Sequence, residues 1–321
     1  MWNFIVRRFI IMIPQIFLLS IIVFIMAQFM PGDPLSGLIG DPDVPQEVIE
    51  ERREELGLNN AWYIQYRDWI FNALQGDLGK SFTQKVPVVD LIESRFWNTF
   101  WLAVLSIFLI YVIAIPLGII SGRWSDTWGD RLITGYTYVG YAAPLFIFGL
   151  VMLFVFGFQL GWFPTGGSVT PGLEPGSFEY FLSKVNHMLL PALSIALIGT
   201  VSTVQYLRSE IIDTKQKDFV RTVRAKGAPE SRIYNKHIFR NSMLPLAALI
   251  GFEITTLLSG TIFIESIFSF PGMGQLFFQS IVTRDYSSVT ALVLLFGVTA
   301  IIGALVADII LSVVDPRIRI K

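Results

Sequence analysis

The chain has 321 residues, of which 53% are hydrophobic and only 15% charged, with a mean hydropathy of +0.59 and a net charge of −1. An ordinary soluble domain is about a quarter charged, so this balance points to a membrane protein. Cys is absent, and the two His, His187 and His237, stand in no metal-ligand spacing; disulfides, thiolate catalysis and Cys-ligated metal are excluded, and no metal site is expected.

The apolar residues gather into six runs: Phe9–Phe29, Phe96–Ser121, Ile133–Phe158, Met188–Leu207, Met243–Ile264 and Val289–Val314. Each is close to the ~20 residues that carry a helix across ~30 Å of hydrocarbon, so an all-α membrane protein with six spans is expected. Residues 1–30 read as a retained first helix rather than a cleaved leader. Arg7 and Arg8 precede the run, but it exceeds the roughly 7–15 residues of a signal core, and the following MPGDP is not a small-x-small site. Pro14 is a candidate kink.

Residues 31–95 hold twelve acidic and six basic side chains. Pro45, the early acids and Gly57 bracket one predicted helix. Apolar residues at helical spacing predict a second over Trp62–Leu74. This segment is expected to be an extracytoplasmic helical insert packed on the outer face. Its acidity is either a solvated surface or a field that screens or attracts ligands. Residues 96–314 form a five-helix core and 315–321 a tail.

Lys and Arg orient the chain. With a cytoplasmic N-terminus, the inner segments carry sixteen of them, nine within Arg208–Arg240, and the two shorter outer loops carry only Lys184 and Arg284. Both termini are therefore expected in the cytoplasm. In the basic loop, residues 208–240, Asp218 or Thr214 can cap a helix with Phe219 and Val223 on one face, and Arg224 and Lys226 suit its C-terminal end. Gly227 suits the left-handed position that closes it. Pro229 and Glu230 begin a second helix, edged by Ile233, Tyr234 and Ile238. Such charges can anchor a loop at headgroups; the helix–Gly–Pro–helix pattern favours a docking element.

Glu253, Thr256 and Gly260 stripe the fifth run, and Thr200 and Thr203 the fourth. These stripes fit either a translocation path or close helix packing. A mid-bilayer charge costs roughly 2.5–3.5 kcal/mol, so Glu253 and Asp308 should face protein or a wet cavity. Asp308 belongs to the same candidate path, although pairing with a nearby base is the simpler reading. Beyond the fifth run, Glu265, Pro271, Gly272 and Gly274 form a turn-rich stretch that is either an outer gate or binding-protein contact, or an ordinary helix stop. No GxxxxGK[ST] phosphate loop, HExxH motif or other catalytic constellation is present, so no enzymatic activity is expected and energy must come from a partner.

RTVRAKG at 221–227, followed by LeuPro at Leu244–Pro245, resembles the cytoplasmic signature of binding-protein-dependent ABC importer permeases. Arg221, Thr222 and Val223 stand where that signature has Glu-Ala-Ala, and the Gly-to-LeuPro interval is longer; both departures are typical of the family's peptide/nickel branch. MPGDP (30–34), LGL (56–58), QYRDW (65–69), GDLGKS (76–81), LGWFPTGG (160–167), HMLLPA (187–192), ESIFSFPGMG (265–274) and DPRIR (315–319) extend the resemblance to the B-type subunit of oligopeptide (dipeptide) permeases over essentially the full length. The resemblance implies a type I ABC importer permease fold in the cell membrane. It also implies a coupling segment (Arg221, Val223, Arg224, Ala225, Lys226, Gly227 and Glu230) on an ATPase. The implied partners are a homologous second permease, two ATPase subunits holding ATP and Mg2+, an extracytoplasmic peptide-binding protein and the bilayer; no cofactor on this chain and no nucleic acid are implied. Nickel, glutathione or another small solute is the alternative cargo. An ATP-independent channel or secondary transporter is the alternative of a different class, and co-purified ATPases separate it.

Overall fold

The structure, a computed structural model, describes residues 2–29, 45–55, 57, 59–243, 246, 253 and 261–314. Several expected features lie outside the described residues: most of the run Met243–Ile264 with Thr256 and Gly260, Leu244–Pro245, MPGDP at 30–34, Leu56 and Leu58, and the tail 315–321. The described residues are helical with no strand, and one isolated bridge pairs Lys80 with Pro87.

Among the described residues, four helices are long and apolar enough to cross a membrane: α1 (Trp2–Gln28), α4 (Val88–Arg123), α7 (Phe178–Lys215) and α13 (Tyr286–Val314). A fifth crossing arises if α5 (Trp128–Ala142) and α6 (Leu145–Met152), with the π-helical turn Leu153–Gln159, count together. The run Ile133–Phe158 is not the single straight span its hydropathy suggests, because the pair is bent by 106°. Pro144 is the reason. It disfavours helical geometry at the residue before it, and Ala143 adopts φ −87°, ψ 116°.

Helix α1 passes through Pro14 without ending. The insert carries α2 (Gln46–Glu55), followed by Gly57 at φ +65°, and α3 (Trp62–Leu74), whose bounds match the expected helix. Tyr66 of α3 hydrogen-bonds Ser20 of α1 at 2.8 Å, and Phe24 packs against the rings of Tyr66 and Trp69. The insert is also held at its other side. Asp285, just before α13, accepts from the Ser81 hydroxyl and from the Phe82 amide at 3.2 Å.

Helices α4 and α7 form the central pair. Gly199 meets Ile110, Gly118 meets Leu207 and Gly122 meets Ile211, a constant offset that makes the two helices run the same way. Glycine at these positions lets the backbones approach closely, the packing device available in lipid, where apolar burial between helices gives little drive. Parallel neighbours require α5 and α6 to bring the chain back across the bundle between them. In contrast, α1 and α13 are antiparallel: Leu19 meets Gly297, and Arg8 pairs with Asp308 at 3.1 Å. The end of α4, the end of α7, the start of α1 and the end of α13 thus share one end, called here the basic end. The insert lies at the other.

Candidate functional site

At the basic end, α7 is followed by α8 (Asp218–Ala225), then α9 (Glu230–Arg232), a π-helical turn (Ile233–Ile238) and α10 (Phe239–Ser242). The apolar side chains explain why the loop is ordered. Val220, Ile233 and Ile238 are fully buried with Leu207 and Ile211 of α7 and with Leu246, and Val223 and Tyr234 pack at the edge. The burying face of α8 is therefore Val220 with Val223, whereas Phe219 is 37% exposed. Neither expected cap is used. Lys217 occupies the N-cap without a side-chain bond, Thr214 is buried below it, and Asp218 is the first helical residue, where an acid favours the helix dipole.

Gly227 has φ +76°, the left-handed geometry expected of it. Its amide donates to the Arg224 carbonyl at 3.0 Å, and the Ala228 amide to Val223 at 3.4 Å. Across this turn Arg224 donates two bonds to Glu230, Nε to Oε1 at 2.6 Å and Nη2 to Oε2 at 3.2 Å. A fork of this kind fixes the angle between two short helices more than it stabilises them, since both groups are exposed. Bonding to Arg224 lowers the Glu230 pKa, and the same bond raises that of Arg224. The fork is thus intact above the ordinary carboxylate range and is lost as pH falls through the lowered Glu230 value. Arg221, Arg224, Ala225, Lys226 and Gly227 all remain exposed, with no apolar cover.

Beneath the loop lies a hub that sequence reasoning missed. Asp130 of α5, 3% exposed, receives a bidentate pair from Arg208 of α7, at 2.7 Å to Oδ1 and 2.8 Å to Oδ2. It also accepts from the Ser121 hydroxyl and from the Asp126 amide at 2.8 Å. Lys215 donates to the carbonyls of Gly122 and Arg123, at 3.0 and 3.1 Å, at the end of α4. The three helices that meet at the loop are thereby tied by charge. Asp130 and Arg208 are 78 residues apart, and only the fold brings them together.

Among the proposed path residues, Thr200 and Thr203 are fully buried on α7. The Thr200 hydroxyl meets Tyr136 at 2.6 Å, and Thr203 donates to Glu253 Oε1 at 3.1 Å. Asp308 has the base that the sequence anticipated, Arg8, and so ties α13 to α1.

At the insert end, α11 (Ile262–Ile267) carries Glu265, and a tight turn leads to α12 (Met273–Val282). Glu265 is fully buried. It accepts from Thr99 Oγ1 at 2.8 Å, Thr261 Oγ1 at 3.3 Å and the Gln275 amide at 3.1 Å. A carboxylate at a helix N-terminus satisfies orphan amides and meets the positive end of the dipole. Glu265 does this for α12 from the preceding helix, because the N-cap itself is Gly272. Burial takes Glu265 out of direct contact with any soluble partner in this conformation; Pro271, whose carbonyl accepts from Asn98 at 2.8 Å, and Gly272 and Gly274 lie around it. A Cβ at Gly272 would fall onto the Glu265 carboxyl, and one at Gly274 would lie 2.8 Å from the Ile262 Cα. Gly272→Ala is therefore expected to destabilise the subunit by about 1–3 kcal/mol, through crowding rather than backbone strain. Thermal unfolding in detergent checks this, and an unchanged melting temperature contradicts it.

Residues 114–320 match the family model "Binding-protein-dependent transport system inner membrane component", and residues 1–103 match "Binding-prot-dependent transport system membrane comp, N-term". The chain is 38% identical over 317 residues to the oligopeptide transport system permease protein AppB of Bacillus subtilis (strain 168), covering 98% of this chain and 99% of that one. It is 35% identical over 321 residues, all of both chains, to the glutathione transport system permease protein GsiC of Escherichia coli (strain K12). A solved structure of the MetNI methionine ABC transporter in inward-facing conformations (CY5 native crystal form) aligns with a TM-score of 0.54 over 70% of this chain and 96% of that one; at 14% identity the likeness concerns fold alone. A helical bundle with several spans, an ordered basic loop at one end and two full-length permease relatives lead to one assignment: the chain belongs to the binding-protein-dependent transport system inner membrane component family, as a membrane-spanning permease subunit.

Proposed function

We propose that this subunit imports oligopeptides, driven by ATP that partner ATPases bind and hydrolyse. The reading has six spans and both termini in the cytoplasm, with the segment Met243–Ile264 supplying the remaining crossing. This subunit and a homologous one flank the path, two ATPases dock on the basic end, and an extracytoplasmic binding protein delivers cargo at the insert end. One observation carries the coupling role: α8, Gly227 and the Arg224–Glu230 fork form an exposed, stiff element whose underside is fixed to α7 through Val220. Movement of an ATPase groove holding Arg221, Val223, Arg224, Ala225, Lys226, Gly227 and Glu230 is then passed to α7 as alternating access. Thr200, Thr203, Glu253, Thr256 and Asp308 are the candidate path, and Glu265 with Pro271, Gly272 and Gly274 the candidate outer gate.

A cysteine placed at the exposed Ala225 of this Cys-free chain is expected to crosslink to the ATPase subunit, and one at Val223, which packs at the edge of the core beneath α8, to do so less. Cysteines at Glu51 or Lys80 are expected to react with an impermeant reagent only from outside. Labelling of the Glu51 position solely from the cytoplasm overturns the orientation and with it the coupling role. Glutathione is the second reading of the cargo, because the similarity to GsiC also spans the entire chain. Uptake of labelled oligopeptide against labelled glutathione by the assembled transporter decides between the two.

A further inference from the structure

Helix α3 is held against α1 at a depth that its place in the insert does not suggest. Leu19 of α1 meets Gly297, which lies eleven residues after Tyr286 and eleven before Asp308, near the middle of α13. The pair of Arg8 with Asp308 belongs near the headgroups of the basic end. Ser20 is twelve residues from Arg8, about 18 Å, and so stands close to the centre of the ~30 Å of hydrocarbon. The Tyr66 hydroxyl of α3 reaches Ser20 at 2.8 Å, and the Tyr66 ring centre lies 6.4 Å from that of Phe17. Trp69 meets Phe24, four residues or about 6 Å nearer the insert end, and only Gln65 bonds to Gln28, the last residue of α1. Sliding α1 outward does not lift α3 clear of the bilayer. A boundary at Ser20 leaves residues 9–19 to span about 17 Å where ~30 Å is required.

The faces of α3 agree with this depth. Gln65, Asp68 and Asn72, spaced i, i+3 and i+7, line an open cavity of about 320 Å³ against Gln28 and the start of α13 at Tyr286 and Ser287. Tyr66 and Trp69 face α1. Tyr63, Ile70 and Leu74 fall on the side away from the cavity, where Tyr63 is 59% and Leu74 80% exposed. A helix on a water-facing surface has the opposite arrangement, with polar residues outward. Phe17, which touches Tyr66, is itself exposed on α1, so this apolar face is continuous with the one that a spanning helix turns to lipid. Arg67 stands among these side chains, but its guanidinium turns back to Asp68 at 2.7 Å, and its stem can lie along apolar surface.

We infer that α3 is seated in the lipid leaflet at the insert end, with Tyr63, Ile70 and Leu74 against acyl chains and Gln65, Asp68 and Asn72 towards water. The depth set by Phe24, five residues or about 7 Å below Phe29, matches the ~5–10 Å to which an interfacial helix sinks its apolar face. The partner of this surface is phospholipid rather than the binding protein. The inference follows from the span geometry and is independent of the cargo.

The test uses the complete transporter in phosphatidylcholine–phosphatidylglycerol vesicles, with partner subunits stripped of reactive cysteines. Nitroxide labels are placed one at a time through Tyr63→Cys, Leu74→Cys and Asn72→Cys in this Cys-free chain, with Met26→Cys on α1 as the lipid reference and Glu51→Cys on α2 as the water reference. All five side chains are exposed, so a label disturbs no packing, and co-purified ATPases report assembly. Collision with oxygen, which partitions into lipid, is compared with collision with a water-soluble nickel chelate. Tyr63→Cys and Leu74→Cys are expected to favour oxygen as strongly as Met26→Cys, and Asn72→Cys to favour the chelate as Glu51→Cys does. Adding the binding protein is expected to leave the first two unchanged. Chelate-dominated collisions at Tyr63→Cys and Leu74→Cys place α3 in water and overturn the seating. Loss of both kinds of collision there means that protein covers the face, and loss only on adding the binding protein makes that protein the occupant; either result overturns lipid as the partner.

Discussion

Gly227→Val is expected to reduce uptake at least tenfold while the subunit still reaches the membrane. The reason is confined to the backbone. At φ +76° a β-branched residue is a genuine outlier, and even a residue without branching pays about 1–2 kcal/mol there. Crowding does not contribute, because a Cβ at Gly227 would meet nothing within 4 Å. The substitutions should therefore rank by tolerance of the left-handed region: Asn mildest, Ala intermediate, Val worst. Relief of the strain unwinds the turn, breaks the Arg224–Glu230 fork and turns α9 away from α8. Uptake and ATPase co-purification across the three variants measure the effect. Normal values for Gly227→Val would remove the turn from the mechanism, and an equal loss for Asn would point to something other than backbone geometry.

Asp130→Ala is expected to be the most destabilising single change at the basic end. It leaves the Arg208 guanidinium, about a quarter exposed, without its bidentate partner, and it strands the Ser121 hydroxyl and the Asp126 amide. Removing one partner from a buried pair costs about 3–5 kcal/mol, because the other charge stays behind. An apparent melting temperature lower by roughly 5–10 °C in detergent is the expected reading. Asp130→Asn retains volume but not charge and should lie between. Joint replacement with Arg208→Leu should recover part of the loss, because the stranded charge goes with it. Equal losses in the single and joint variants would mean that the two residues are not energetically coupled.

Some of this molecule is legible in its residues. Trp62–Leu74 alternates apolar and polar side chains at helical spacing, and no tertiary contact contradicts it. Gly227 follows a short run of helix formers and precedes Pro229, so local chemistry alone specifies its turn. Asp308 is one charge in an apolar helix, which requires a base nearby, although only the fold says that the base is Arg8. Other features escape because the signal has no direction. Hydropathy reads through Pro144, since the run carries no charge on either side of it, and it ends at Leu207 while α7 continues to Lys215 in polar turns. The face of α8 is ambiguous for the same reason. Phe219 with Val223 and Val220 with Val223 both satisfy helical spacing, and the choice is made by Leu207 and Ile233. The candidate site divides likewise. The exposed basic turn can be read from sequence, but the Asp130–Arg208 hub, Thr203 beside Glu253 and the capping of α12 by Glu265 rest on contacts between distant segments.

Helix α7 runs 38 residues without a break and contains Pro191 near its insert end. Pro191 has no amide to bond back along the helix, so resistance to bending is weakest there. The stretch from Pro191 to Lys215 is then an arm of about 36 Å, at ~1.5 Å per residue. It is embedded near its pivot among Phe268 and Phe270, and it carries Val220 and Ile233 at its free end. A lever of that length multiplies small angles. A flex of about 10° at the pivot swings the free end by roughly 6 Å, slightly more than the 5.4 Å pitch of a helix turn.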